Sequence, residues 1–430
     1  MKVCFFTLGC KVNQQETAAM INIFKKAGYE VVHGEEAADV YVVNSCTVTL
    51  NGDRKSIQWI RRARRQNPDA VIALCGCMPQ AFPQKAIDVQ EADIIIGSKG
   101  KGEILNLVNQ FKENRERHID IIPHSEKDKF EELASETDAL HTRAFLKIQD
   151  GCNRECAYCI IPKARGRVRS RPVDSIVAEA KKMAAAGHKE IVLTGVNISC
   201  YGQDLGNNVC DAIEAVAEIE EVKRVRLGSL ELDLFTDEML VRMSKVEKFC
   251  PHFHLSLQSG SDKTLKNMNR LYDTQLYTDM MNRLRELFDK PSFTTDIIVG
   301  FPQESEKDFL DSVAYMQKCR FMRVHCFSYS QRPGTKGAEM SGQIDNATKS
   351  ERNRIMTFKS EQVRDSVYAE YIGFEEEALL EQKTADGYFT AYTKRYIPVL
   401  VKDNGYSAGD IVKVRLTGID GGKMSCEVIE

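Results

Sequence analysis

Residues 147–166, KIQDGCNRECAYCIIPKARG, decide the fold of this chain. They contain Cys152, Cys156 and Cys159 in the spacing C-x3-C-x2-C, directly after an apolar segment that is predicted to be a strand. Three thiolates on one tight loop can bind three irons of a [4Fe-4S] cluster and leave the fourth iron open for another ligand. A structural zinc site would require a fourth protein ligand, and the nearest, His141, lies on the wrong side of the predicted strand.

This cysteine loop would be the first βα loop of a barrel. From Ala144 onward, apolar strand candidates alternate with helical stretches such as 174–186, 274–288 and 304–318. The strand candidates are FLKIQ, EIVLTGV, RVRLGSL, HFHLSL, FTTDIIVG and MRVHCFSY. Six βα units are too few for a closed eight-stranded barrel, so residues 144–330 are predicted to form an open, partial (βα)6 barrel. Its functional face should lie at the carboxyl ends of the strands.

Residues 1–112 are predicted to form an open parallel α/β sheet domain, because short apolar runs alternate with amphipathic helical stretches. Cys10, Cys46 and Cys77 each follow the carboxyl end of a predicted strand. Ligands bind at that edge of open α/β sheets, so these cysteines can meet in one crevice. Cys75 would point to the opposite face of its strand and is expected to be a buried core cysteine.

The remaining segments complete an α/β fold of three domains, as a length of 430 residues suggests. Residues 113–143 are charged and are predicted to be a connector, with a short helix around 130–134. Residues 331–372 are predicted to be a linker with a long helix over about 348–370. Residues 373–430 contain short alternating strands with Gly-rich turns, which indicate a small antiparallel β barrel.

Charge and composition exclude several classes of protein. The chain has 59 basic and 62 acidic residues, a net charge of −3, so any nucleic acid must be held by local patches. No stretch reaches about 18 apolar residues and no signal-peptide cleavage site is evident, so we expect a cytoplasmic protein without a membrane segment. A reducing compartment argues against disulfides among the 14 cysteines. Those outside the sets above are expected to be packing residues: Cys4, Cys200, Cys210, Cys250, Cys319, Cys326 and Cys426.

The C-x3-C-x2-C loop, with the aromatic Tyr158 before its third cysteine, resembles the signature of the radical S-adenosylmethionine (SAM) superfamily. Several segments narrow the resemblance to the methylthiotransferase family: LTGVNISCYG, HLSLQSGSDKTLKNMNR, TDIIVGFPQES, and, in the first domain, LGCKVNQ, VVNSCTVT and CGCMPQ. Among the branches of that family the chain is most similar to the MtaB type. The resemblance implies addition of a methylthio group to C2 of N6-threonylcarbamoyladenosine beside the anticodon of tRNA.

The resemblance also implies the cofactors and the partners. In the family, cysteines that match Cys10, Cys46 and Cys77 bind a second, auxiliary [4Fe-4S] cluster. The barrel cluster would reduce SAM to a 5′-deoxyadenosyl radical, and the auxiliary cluster would be the source of sulfur. An external electron donor and a sulfur source that restores the auxiliary cluster are therefore expected partners, besides tRNA.

SAM is expected to lie across the mouth of the barrel, where residues at the strand ends could contact it. The candidates are Tyr158, Gly195, Asn197, Ser229, Glu231, Gln258, Asp296 and Gly300. The stretch GSLELDLF lacks a proline that is expected after Glu231 in this family. A Ser or Gln at a strand end is more often a cap than a ligand, so the shared location of the set is its main support.

Two basic segments are candidates for RNA contact. The run PKARGRVRSR suits an extended segment with one row of charge: Lys163, Arg165, Arg167, Arg169 and Arg171. The C-terminal barrel resembles the TRAM domain, and Tyr392, Lys394, Arg395 and Tyr396 could stack on bases and contact phosphates. A further patch on the second helix is either RNA-binding or simply solvated: Arg54, Lys55, Arg61, Arg62, Arg64 and Arg65.

Two other functions remain open. One is methylthiolation of isopentenyladenosine in tRNA, or of a ribosomal protein aspartate, by the same machinery. The other is a non-catalytic iron-sulfur protein that binds RNA, which would not cleave SAM.

Overall fold

The computed structural model describes residues 1–34, 36–133 and 142–429. Its first part is a parallel sheet with helices on both faces. The strands are β1 (Lys2–Thr7), β2 (Glu30–Val32), β3 (Val40–Ser45), β4 (Val71–Gly76), β5 (Ile94–Ile96) and β6 (His118–Asp120). The helices are α1 (Lys11–Lys26), α2 (Leu50–Gln66), α3 (Cys77–Ala81), α4 (Pro83–Ile87) and α5 (Ile104–Asn114). The six strands pair in the order β2-β1-β3-β4-β5-β6.

The sheet separates two hydrophobic cores, and successive side chains of β4 point alternately into one and the other. Ile72 and Leu74 pack in the core that includes Ile60 of α2. Cys75 packs on the other face with Met20 of α1, in a second core. Both faces of the strand are therefore buried, as expected for a parallel sheet covered by helices.

The predicted connector, residues 113–143, contains a strand that was not expected. Residues 118–120 form β6 and extend the sheet beside β5, so the start of 113–143 is part of the sheet. Residues 130–133 have no helical structure, and residue 134, the end of the predicted short helix, lies outside the described residues. The short polar strand has little hydrophobic periodicity, which is why its pattern did not indicate a strand.

The central part contains all six predicted strands, arranged as an open barrel. Its strands are β7 (Arg143–Lys147), β8 (Gln149–Asp150), β9 (Arg169–Ser170), β10 (Glu190–Thr194), β11 (Arg224–Leu227), β12 (Ser229–Leu230), β13 (His252–Leu255), β14 (Ser292–Val299) and β15 (Arg323–Ser328). Its helices are α6 (Ile161–Arg165), α7 (Val173–Ala185), α8 (Val209–Ala217), α9 (Asp237–Ser244), α10 (Asp262–Asn267), α11 (Thr274–Leu287) and α12 (Glu306–Cys319). Parallel sheets β7-β10-β11 and β12-β13-β14-β15 follow one another around the barrel, whereas β8 and β9 form a separate antiparallel pair.

The inner face of this barrel is polar. On β7, Ala144 and Leu146 belong to the hydrophobic core that also contains Ile176 of α7. Because side chains alternate along a strand, Arg143 and Phe145 face the opposite side. We call the space enclosed by β7 and β10–β15 the lumen.

The C-terminal part begins with α13 (Lys336–Glu339) and α14 (Asn346–Ala369). The following strands are β16 (Glu375–Lys383), β17 (Tyr388–Thr393), β18 (Pro398–Lys402), β19 (Ile411–Asp420) and β20 (Lys423–Val428). They form a closed five-stranded barrel in the order β16-β17-β18-β20-β19. The barrel is not wholly antiparallel as predicted, because β18 and β20 pair in parallel.

Within the described ranges, no helix has both the length and the apolar character that are required to cross a membrane.

Candidate active site

The barrel cysteines lie on one loop between β8 and α6. The backbone N–H of Cys152 donates to the carbonyl oxygen of Gly166 at 3.0 Å, and the N–H of Cys159 donates to that of Cys156 at 3.0 Å. A third hydrogen bond, from the N–H of Ala157 to the carbonyl of Met268 at 2.8 Å, joins the loop to the segment after α10. The three thiols are half-buried, so the loop presents them together while they remain accessible.

Cys152 is surrounded by hydrogen-bond donors. The Cys200 thiol donates to it, the Asn197 side-chain amide lies 3.5 Å from its Sγ, and the backbone nitrogen of Arg154 lies 3.4 Å from the same sulfur. These donors lower the pKa of Cys152 to about 6, so its thiolate is favoured as metal binding requires. Cys200 was expected to be a packing residue. It is buried, but it also contacts the cysteine loop, and its position after β10 at the functional edge was the signal that could have found it.

Arg270 is a second residue that sequence reasoning missed. Its Nη1 donates to Cys156 Sγ at 3.2 Å and to the Tyr158 hydroxyl at 3.2 Å, and its Nη2 is hydrogen-bonded to Glu231. The guanidinium therefore joins two predicted SAM contacts to a predicted cluster ligand. Glu231 occupies this position without the proline that was expected to follow it.

Other predicted SAM contacts lie at the same end of the barrel, and their surroundings differ. The backbone N–H of Asn197 donates to Gln149 Oε1 at 2.8 Å, and a Cβ on Gly195 would lie 2.7 Å from that same oxygen. The side-chain Oδ1 of Asn197 is buried and has no hydrogen-bond partner among the described residues. Such an atom requires a partner, so Asn197 is the candidate that best fits a bound ligand.

The surroundings of Gln258, Gly300 and Ser229 give less support for a bound ligand. Gln258 adopts φ 68°, and its backbone N–H donates to the carbonyl of Asp296 at 2.9 Å. Gly300 adopts φ 71°, and the Lys349 side chain from α14 fills the space that a Cβ would take. The backbone conformation and the close packing of Lys349 therefore account for a glycine at position 300, and no bound ligand is needed to explain it. Ser229 is exposed at the start of β12.

The N-terminal cysteines come from three separate strand ends. Cys10 precedes α1, Cys46 follows β3, and Cys77 begins α3 directly after β4. Asn13 Oδ1 lies 3.9 Å from Cys10 Sγ and 4.0 Å from Cys77 Sγ. A Cβ on Gly9 would lie 3.0 Å from Cys46 Sγ, and φ at Gly9 is 109°, so the close approach of these segments requires glycine. The three thiols therefore share one crevice.

Three thiolates in this crevice would need positive charge beyond what the protein supplies, and bound iron would provide it. Burial raises the pKa of Cys46 to about 12, and neighbouring Cys77 adds to the shift, so protein groups alone do not stabilise three thiolates here. The Arg165 guanidinium donates to Cys77 Sγ at 3.3 Å and supplies one compensating charge. An all-cysteine donor set is the usual ligation of an iron-sulfur cluster, and both sets of three cysteines fit it.

A buried ionic network joins the two cysteine sites. Arg165, 1% exposed, bonds to Glu16 of α1, to Asn13 at 2.5 Å and to Asp150 at 3.2 Å. Lys147 donates to Glu16 at 2.8 Å and to Asp150 at 2.6 Å. Although burial opposes it, the charges of Arg165, Lys101 and Lys147 hold the pKa of Glu16 well below its usual range.

The predicted RNA-binding row over 163–171 requires correction. The segment is not extended: Lys163 and Arg165 lie in α6, and Arg169 lies in β9. Arg169 is buried and donates to backbone carbonyls at 2.9 and 3.1 Å, while Arg171 is buried beside Ser175 and Glu179. Arg165, Arg169 and Arg171 are therefore unavailable to phosphate, because acceptors within the protein already bind them: Glu16 and Asn13 of α1 for Arg165, and groups of the central barrel for the other two. Lys163 and Arg167 remain exposed.

The C-terminal candidates also differ from the prediction, because residues 392–396 close the amino end of the central barrel. The Tyr392 and Tyr396 rings stack with centroids 4.6 Å apart, and Arg143 of β7 lies over both. Arg395 is 12% exposed and donates to the carbonyl of Lys290 at 2.7 Å. These three side chains serve the contact between the barrels instead of facing RNA. Lys394 is partly exposed and lies 3.6 Å from Glu377.

Comparisons with known proteins agree with this geometry. Residues 2–97 match the family described as uncharacterized protein family UPF0004, and residues 146–316 match the radical SAM superfamily. The threonylcarbamoyladenosine tRNA methylthiotransferase MtaB of Bacillus subtilis (strain 168) is 39% identical over 96% of this chain and 93% of its own. A tRNA-2-methylthio-N(6)-dimethylallyladenosine synthase of Moorella thermoacetica is 33% identical over 96% of this chain and 94% of its own.

A solved structure resembles the fold. The radical SAM methyltransferase TsrM from Kitasatospora setae, with cobalamin and a [4Fe-4S] cluster bound, has a TM-score of 0.56 at 13% identity, covering 78% of this chain and 77% of that one. At this identity the likeness shows the fold alone. The near-complete match to the sequence relatives shows that the chain belongs to the radical SAM methylthiotransferase family.

Proposed function

We propose that this protein adds a methylthio group to C2 of N6-threonylcarbamoyladenosine beside the anticodon of tRNA. The observation that carries the proposal is the presence of two crevices with three cysteines each, joined by the buried Arg165 network. The full-length similarity to MtaB supports this substrate over others. An unactivated aromatic C–H bond requires radical chemistry, which ordinary side chains do not supply.

We assign residues 1–112 to the auxiliary cluster, 144–330 to SAM, and 373–430 to a TRAM-like module. Cys152, Cys156 and Cys159 would hold one [4Fe-4S] cluster, and Cys10, Cys46 and Cys77 would hold the other. When bound, the two clusters and SAM supply electron transfer, hydrogen abstraction and sulfur. The protein's contribution is to bind, orient and exclude water.

Several residues have positioning roles in this proposal. Asn197 and Arg270 donate to cysteines of the barrel loop and so orient their sulfur atoms. Tyr158, Glu231 and Asn197 lie beside that loop and are the proposed SAM contacts that the geometry favours. The other proposed SAM contacts would shape the backbone around SAM or contact it at its periphery: Gly195, Ser229, Gln258, Asp296 and Gly300. The electron donor and the sulfur source remain proposed external partners.

The tRNA surface that we propose consists of exposed cations near the auxiliary site. The Lys163 ammonium lies 5.1 Å from the centre of the Phe82 ring, and Arg332 lies on the same ring at 4.7 Å. Arg332 also donates to Asp53 of α2 at 2.7 Å. Arg332 and Asp53 are buried, so these contacts join the segment that carries Lys163 to α2 beneath the surface, and Arg54 and Lys55 are exposed on that helix. Phosphate contacts here would position the anticodon loop over both crevices.

Nucleoside analysis tests the function. Reconstituted protein, SAM and a chemical reductant are incubated with anticodon stem-loop RNAs that carry threonylcarbamoyladenosine or isopentenyladenosine, and the digested nucleosides are identified by mass. We expect a methylthio product from the first RNA. Product from the isopentenyl RNA alone would assign the chain to the branch of the Moorella relative. Absence of 5′-deoxyadenosine in every reaction would indicate a non-catalytic iron-sulfur protein.

A further inference from the structure

The lumen is lined mainly by charged and polar side chains. Alternate residues of each strand lie in the hydrophobic core, so the others face inward. The inward side chains include Arg143, Lys147, Glu190, Arg226, His254 and His325. An apolar ligand group placed here would strip water from these polar groups without replacing their hydrogen bonds, which is unfavourable.

Most cations of the lumen already have an acidic partner. Arg143 bonds to Glu381 at 2.6 Å, and Arg226 bonds to Glu190 at 2.7 Å. Lys147 is held by the acids of the Arg165 network. The lumen therefore has few charges left for a ligand.

Lys11 differs from these residues. In the described part of the chain, no carboxylate lies within 4.0 Å of its ammonium, which instead lies 4.6 Å from the centre of the Phe145 ring. The residue is exposed, and it directly follows Cys10 at the start of α1. Its side chain thus extends from the auxiliary crevice into the lumen with an unneutralised charge.

Opposite Lys11, on the other edge of the open barrel, lies a histidine pair. His254 Nε2 is 3.3 Å from Asp296 Oδ2, and a His325 nitrogen lies within 4.8 Å of both groups. This trio resembles a metal site in its ligand types. However, Lys11 and Arg323 act on the His325 imidazole, and Arg323 also lacks a carboxylate partner among the described residues. A divalent cation would be repelled by these charges, whereas an anion would be attracted.

We propose that Lys11, assisted by His325, binds the carboxylate of the threonylcarbamoyl substituent and so selects this nucleoside. This inference rests on the proposed function. The substituent carries a carboxylate and a hydroxyl, which the polar lumen can accept, whereas an isopentenyl group carries neither. Because Lys11 is adjacent to Cys10, the carboxylate contact would hold the adenine next to the auxiliary crevice, where sulfur is needed.

Binding measurements on matched RNAs test the proposal. The probes are two anticodon stem-loops, one with threonylcarbamoyladenosine and one with the methyl ester of the same nucleoside, which lacks only the charge. We expect wild-type protein to bind the acid about tenfold to a hundredfold more tightly, the range for hydrogen bonds to a charged group. Lys11→Met should reduce this ratio to near one, and Lys11→Arg should restore most of it.

Two controls keep the experiment decisive. Lys25→Met removes an exposed ammonium from the other end of the same helix and should retain the wild-type ratio. If Lys11→Met loses auxiliary iron, His325→Phe provides a second variant on β15, away from α1, and should lower the ratio in part. The methylthio product measures the proposed function, while the acid-to-ester ratio measures the carboxylate site, so the two failures are distinguishable.

Three results would overturn the proposal. The first is a wild-type ratio near one, and the second is a wild-type ratio in both Lys11→Met and His325→Phe. The third is binding of added Zn²⁺ that competes with the acid and is lost in His254→Phe, since this would make the trio a metal site.

Discussion

The two cysteine sites of this protein are built in opposite ways. The barrel site takes Cys152, Cys156 and Cys159 from one loop whose backbone hydrogen bonds bring them together. The N-terminal site takes Cys10, Cys46 and Cys77 from three strand ends, so only the order of the parallel sheet makes them neighbours. The first site is local and the second depends on topology.

Their electrostatic surroundings differ as well. Donors from Cys200 and Asn197 lower the pKa of Cys152, whereas burial raises that of Cys46. Within the barrel loop this favours a thiolate at Cys152, whereas burial raises the pKa of Cys156 and raises that of Cys159 to about 12. In the N-terminal crevice the buried Arg165 donates to Cys77, and it also bonds across the interface between the two domains. Changes at the second site should therefore affect assembly as well as chemistry.

The largest effect is expected at the local site. Cys156→Ala should abolish reductive cleavage of SAM, because two thiolates hold the cluster poorly. Iron should fall from about eight to about four per chain, one [4Fe-4S] cluster each. Iron analysis and 5′-deoxyadenosine assays provide the measurement, with the same result expected for Cys152→Ala and Cys159→Ala. Normal 5′-deoxyadenosine formation in all three variants would contradict the assignment.

Mutation of the N-terminal cysteine site should leave the function of the barrel site intact. Replacing Cys10, Cys46 and Cys77 together by alanine should leave the barrel cluster and SAM cleavage, but end methylthio transfer. Iron should again fall to about four per chain. The two activities are measured in one reaction, as 5′-deoxyadenosine and as methylthiolated nucleoside. Loss of both activities with about eight irons retained would show that the two sites are not divided in this way.

The comparison also explains what the sequence could reveal. The spacing of Cys152, Cys156 and Cys159 is a local property, so pattern alone predicted it. The grouping of Cys10 with Cys46 followed from a general rule, that parallel strands end at one edge. The second prediction also needed the number and type of the elements, which hydrophobic periodicity supplies, and neither prediction needed side-chain contacts.

Contacts between domains could not be predicted. Arg165 and Arg395 look like surface cations in the sequence, yet Arg165 is buried and Arg395 is half-buried, and each donates to acceptors that are distant in the chain. Arg270 and Cys200 gave no local spacing signal, although each touches the barrel loop. A run of basic residues in the sequence shows that cations are present, but it does not show which of their side chains a neighbouring domain will cover.

Arg165→Met tests the network that joins the two sites. It removes one partner from buried Glu16, which keeps Lys101 and Lys147, so we expect a loss of about 3 kcal/mol, the low end for a broken buried pair. Thermal unfolding followed by circular dichroism measures the change. Arg167→Met is the matched control, since Arg167 is exposed and should change stability by less than about 0.5 kcal/mol. Equal melting temperatures for the two variants would contradict the structural role of Arg165.

The smallest effect is expected from Cys75→Ala, which lies two residues before a proposed ligand. Cys75 is 0% exposed, packs in the core with Met20 of α1, and its Sγ lies 3.8 Å from Asn44 Oδ1. Losing one buried sulfur should cost about 1 kcal/mol and leave iron content and methylthio transfer unchanged. Cys77→Ala, its matched comparison, should lose auxiliary iron. If Cys75→Ala lost that iron while Cys77→Ala kept it, the ligand assignment would be wrong, and the strand-end rule that separates this site from the barrel loop would fail with it.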